Sequence, residues 1–112
     1  MSIHAFFALE IQNNPSYVLE VAYAQARSGN AADARKNLAA LEEFVKQDIV
    51  APLSLARIHL ALGEKEQALE RLRLSVTRHD TECLYFKVDP RLAPLRTEPR
   101  FIALLKEIGF PE

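Results

Sequence analysis

At 112 residues, with 49% apolar and 26% charged side chains, the chain has room for one soluble domain with a modest core. A formal net charge of −1 supplies no bulk field for nucleic acid or an anionic membrane. The single cysteine, Cys83, excludes an internal disulfide, and no apolar run approaches the roughly 20 residues that cross a bilayer. With no basic leader ahead of the greasy start, the expected compartment is the cytoplasm.

Residues 3–12 carry an apolar stripe through Ile3, Phe7 and Ile11, with Phe6 beside it, and Asn13, Asn14 and Pro15 then stop the helix. No helix precedes this one. It reads as the second half of a repeat at the end of a longer protein, or as an N-terminal cap on residues 1–14.

A first repeat spans residues 15–48. Ser16 is the expected N-cap, and Val18, Val21, Ala22 and Gln25 face inward. Ser28, Gly29 and Asn30 form the turn. A second helix over 31–46 turns Ala34, Leu38, Leu41 and Val45 inward, with Glu42 and Lys46 one turn apart on the surface.

A second repeat spans residues 49–80. Pro52 opens its first helix without sacrificing a hydrogen bond. Leu55, Ala56, His59 and Leu62 share a face before Gly63, and Ala68, Leu72 and Val76 recur after it over 65–79. A helix that stops at a glycine and restarts at once folds back on its partner. Glu64, Glu66, Glu70, Arg71 and Arg73 read as a solvated face.

The two repeats share one register. A shift of 34 residues carries Leu53 onto Leu19, Ala56 onto Ala22, Gly63 onto Gly29, Ala68 onto Ala34 and Leu72 onto Leu38, without a gap. A fixed period of this length, each unit a helix–turn–helix, is the mark of a stacked helical repeat.

Residues 81–112 differ. Asp80 or Thr81 caps a short helix through Leu84, Tyr85 and Phe86. Pro90 and Pro94 leave room only for single turns. Thr97, Glu98 and Pro99 open a last helix with a stripe of Phe101, Leu104, Leu105 and Ile108, ended by Gly109 and Pro111. Repeat arrays need such an altered terminal unit to cover their exposed flank.

The pairs Ala22–Gly29–Ala34–Leu38 and Ala56–Gly63–Ala68–Leu72 resemble the tetratricopeptide repeat. That family places an aromatic where Gln25 and His59 stand, an alanine at Leu41 and Ser75, and a proline at Lys46 and Asp80. Residues 84–101 are similar to the segment that closes such arrays in bacterial regulatory proteins. The resemblance implies an all-α, right-handed α-α superhelix of about two hairpins. It implies an adaptor or regulatory scaffold that binds a peptide or partner protein on its concave face, and not an enzyme. The alternatives are a self-assembly module dimerising through its N-terminal helix, or the C-terminal sensor part of a larger regulator.

In such a stack the first helices line the concave face. The 34-residue register puts Leu19, Tyr23, Ala26 and Arg27 there, with Leu53, Arg57, Leu60 and Ala61. The expected partner-binding set is Leu19, Tyr23, Arg27, Leu53, Arg57 and Leu60, an aromatic and a guanidinium standing at equivalent steps. The lysine- and asparagine-rich clamp by which some family members grip a C-terminal carboxylate is missing at these positions. His79 and Cys83, four residues apart, supply two ligands, too few for zinc; no metal or cofactor is expected. His59 reads as a hydrogen-bonded core residue, and Arg91, Arg96 and Arg100 as groups that close the tail. Neither a phosphate loop nor a nucleophile elbow is present.

Overall fold

The structure, a computed structural model, describes residues 14–109. All regular structure among them is helical. The expected helix over residues 3–12 lies outside the described residues. By its contacts the chain divides into two compact units, residues 1–50 and 51–112.

The first unit contains one described hairpin, α1 (Pro15–Arg27) and α2 (Ala31–Lys46). The cap of α1 is Asn14 rather than Ser16: its side chain accepts from the backbone N–H of Ser16 and Tyr17, and Pro15 takes the first helical position. Val18, Ala22 and Ala26 of α1 are buried, as are Ala34, Leu38, Leu41 and Val45 of α2. Ala22 and Ala34 are wholly inaccessible, as close helix contact requires. One polar bridge crosses the hairpin, where Asn37 Nδ2 donates to Gln25 Oε1 at 2.8 Å.

The second unit begins with the matching hairpin, α3 (Pro52–Ala61) and α4 (Lys65–Thr77). Ala56 and Ala68 are again wholly buried. Two short 3₁₀ segments follow, η1 (Thr81–Tyr85) and η2 (Pro90–Leu95), then α5 (Pro99–Ile108). Asp89 caps η2 by accepting from the Arg91 N–H, and Pro94 keeps the segment short. One apolar cluster joins these pieces: Leu53, Ala56, Leu72, Phe86, Leu92, Leu95, Phe101 and Leu104 are all buried in it. The rings of Phe86 and Phe101 stack at 6.4 Å between centroids. Burial of each ring stabilises the unit by about 1.5–3 kcal/mol.

The direction of α5 follows from two ion pairs. Arg100 of α5 binds Glu66 of α4, and Arg73 of α4 binds Glu107 of α5. Both partners are 34 residues apart, so the two helices run parallel, offset by one repeat period. The last helix thus runs parallel to α4 one 34-residue period further along the chain, with η1 and η2 in the stretch between them.

Four helices end in the same way. After α1 and α3 the chain reverses at Gly29 and Gly63, with φ of +87° and +80°. The N–H groups of Asn30 and Glu64 then close back on the carbonyls of Gln25 and His59, each at 2.8 Å. After α2 and α4 the same left-handed position is held by Asp48 (φ 64°) and His79 (φ 56°). Ile49 and Asp80 make the matching bonds to Phe44 and Ser75. A Cβ built on Gly63 meets nothing within 4 Å, so its need for glycine is conformational and not steric. Gly63→Ala is expected to cost about 1 kcal/mol, whereas His79→Gly should be neutral or stabilising by up to about 1 kcal/mol. Urea unfolding of both variants checks this; a Gly63→Ala chain as stable as the parent would refute it.

Candidate partner-binding face

The six residues expected on the concave face divide between the two units. In the first, Leu19 and Tyr23 are half-buried on α1 and Arg27 is exposed. Arg27 folds back one turn: its Nη1 donates to Tyr23 Oη at 3.3 Å, and its guanidinium carbon stands 5.8 Å from the centre of the Tyr23 ring. The cation is thereby held over an aromatic face at the step occupied by Tyr23 itself.

In the second unit the equivalent face of α3 is used by the chain's own tail. Leu53 is buried in the cluster that contains Leu92 and Leu95 of η2, and Leu60 packs against it. Arg57 is held by Asp89: Nε donates to Oδ2 at 2.7 Å and Nη2 lies 2.6 Å from the same oxygen. The other carboxylate oxygen accepts from the Arg91 N–H at 2.9 Å. Asp89 is only 6% exposed and Arg57 25% exposed in their side chains. The sequence marks Arg57 as a groove residue; the fold gives its guanidinium an internal carboxylate.

Arg96 completes the fastening. Its guanidinium donates to the carbonyl of Lys87 at 2.9 Å, and at 3.4 Å to that of Asp89, which also accepts from the Leu92 N–H. Arg100 lies between two carboxylates, Glu66 and Glu98. Its hydrogen bonds hold both below the usual carboxylate value of about 4.5, and they raise its own pKa in turn.

The residues considered for a metal do not assemble one. Cys83 is buried, with Sγ 3.5 Å from Ser75 Oγ. His79 is exposed in its left-handed turn. Among the described residues no three His, Cys, Asp or Glu side chains are grouped to hold an ion. His59 is buried with Nδ1 3.1 Å from Glu64 Oε1, and its Nε2 has no hydrogen-bond partner among the described residues. No described helix is long and apolar enough to cross a membrane.

Two features escape the sequence reading. The anchoring role of Asp89 was hidden because Asp–Pro reads as a backbone break, and its cation stands 32 residues away. A cleft of about 640 Å³ opens where α4 ends, lined by Val76, His79, Cys83, Leu84 and Ile108 among others. Leu84 there is exposed, as are Tyr85 and Val88 beyond it. Exposed leucine and valine in a polar-rich tail were the available signal. No family model, curated protein or solved structure matches the chain.

Two outcomes follow. Arg57→Ala strands the buried Asp89 carboxylate and should destabilise the second unit by about 2–4 kcal/mol, read by urea unfolding; a loss below about 0.5 kcal/mol, of the order usual for surface changes, would show the pair to be incidental. Glu66 and Glu98 titrate lower folded than unfolded, so their contribution is present above about pH 4.5 and is lost as pH falls through their folded values. Arg100→Gln should raise both carboxyl titrations in NMR toward the ordinary value, and its stability deficit should vanish in acid.

Proposed function

We propose that this chain is a protein-interaction module of tetratricopeptide type, its hairpins being units of a right-handed α-α superhelix. It works as an adaptor or regulatory scaffold rather than a catalyst. The observation that carries the reading is the repeated hairpin: the 34-residue register recurs in buried alanines, in left-handed glycines and in the same closing hydrogen bond. The one-period offset of α4 and α5 supports it further. Helical repeats of this kind expend their length on extended surface, and recognition of other chains is the work such surfaces do.

The partner surface belongs on α1. Leu19, Tyr23 and Arg27 combine an apolar contact, an aromatic ring and a cation, the residue types that dominate binding energy at protein interfaces. Leu53, Arg57 and Leu60 hold the tail in place and act as structural residues in this reading.

The test is capture from a lysate of the source cells on the immobilised full chain, with the parent beside Tyr23→Ala and Arg27→Glu. A partner retained by the parent and lost from both variants, while their far-ultraviolet dichroism and unfolding midpoints match the parent, is the expected result. Direct titration of that purified partner should then show a loss of about 1–2 kcal/mol for each variant. Retention of the same proteins by all three chains would refute the assignment of α1.

A further inference from the structure

The second unit holds a worked example of segment recognition on the face of a first helix. The residues 89–95 lie on α3 with one carboxylate and two leucines: Asp89 enters the Arg57 guanidinium, and Leu92 and Leu95 join the cluster around Leu53. The shift of 34 residues carries this receptor onto α1. Leu53 becomes Leu19 and Arg57 becomes Tyr23. A tyrosine cannot replace a guanidinium, but Arg27 folds back so that its guanidinium arrives at Tyr23. The first unit therefore offers a leucine at the matching step and, at the tip of Tyr23, a guanidinium that comes from one turn further along α1. Among the described residues no carboxylate pairs with Arg27.

We propose that the α1 face binds an internal segment of a partner protein in which an aspartate or glutamate is followed three residues later by leucine. The chemistry is that of the chain's own residues 89–92. A guanidinium already stacked on a ring loses less rotamer freedom when a carboxylate arrives, and the charge-assisted bond is the stronger for it. The leucine supplies burial against Leu19. The carboxylate is that of a side chain, so a free C-terminus is not required. The inference rests on the assignment of α1 as the partner surface and adds the class of partner.

The probe is an acetylated, amidated peptide with the sequence of residues 86–96, titrated into the full chain and followed by NMR. Expected are saturable shifts at Leu19, Tyr23 and Arg27. Affinity should fall about tenfold or more for the peptide carrying Asp89→Asn and for the Arg27→Glu protein, as loss of a charge-assisted hydrogen bond implies. Arg27→Lys should keep part of it. Equal binding of the Asp and Asn peptides overturns the proposal. So does binding that shifts Leu53 and Arg57 instead, because the peptide would then be displacing the tail, and so does no binding at millimolar peptide. If the peptide fails while a cellular partner is still lost from Arg27→Glu, the interaction reading stands and the partner class falls; if both fail, both fall.

Discussion

Each hairpin depends on a helix that stops within one residue and sends the chain back along itself. That reversal requires a left-handed residue whose neighbour can bond the carbonyl five positions back, as Asn30 and Glu64 do. Within the hairpins the position is glycine, where no strain arises. After α2 and α4 it is Asp48 and His79, which accept the strain that a side chain meets in this region. The tight turns fold together helices whose alanines Ala22, Ala34, Ala56 and Ala68 are wholly buried.

The tail covers one first-helix face with the chain's own residues. Prolines break the stretch between α4 and α5 into 3₁₀ turns, and these turns carry too few backbone bonds to stand alone. They are held from outside instead. Asp89 fastens to Arg57, Arg96 donates to the Lys87 carbonyl, and Phe86, Leu92 and Leu95 fill the apolar cluster. Removing the first-helix face of α3 from solvent is the consequence. The matching face of α1 keeps a stacked cation and a half-buried leucine.

Departures from the tetratricopeptide pattern acquire local reasons. At Ser75 the family places alanine. Here the hydroxyl is wholly buried and donates to Asp80 Oδ2 at 3.3 Å, so the extra oxygen is satisfied. At Asp80 the family places proline. The φ of −64° would suit proline, but the N–H closes the end of α4 on the Ser75 carbonyl. Gln25 and His59 stand where an aromatic is usual. One bridges to Asn37 across its hairpin and the other to Glu64 across its turn.

Helix positions, the two glycine turns, the buried alanines and the closing stripe of Phe101 and Leu104 were legible because they depend on local period and backbone conformation, which neighbouring residues dictate. The sequence alone also determined the 34-residue register that makes the hairpins equivalent. Tertiary structure decided which cations of the first helices meet an internal carboxylate. Arg57 and Arg27 look alike in the chain, yet one meets a buried carboxylate 32 residues away and the other an aromatic ring four residues back. No local pattern contains that difference, because an ion pair forms between groups that folding brings together, and the path of the tail had to be known first.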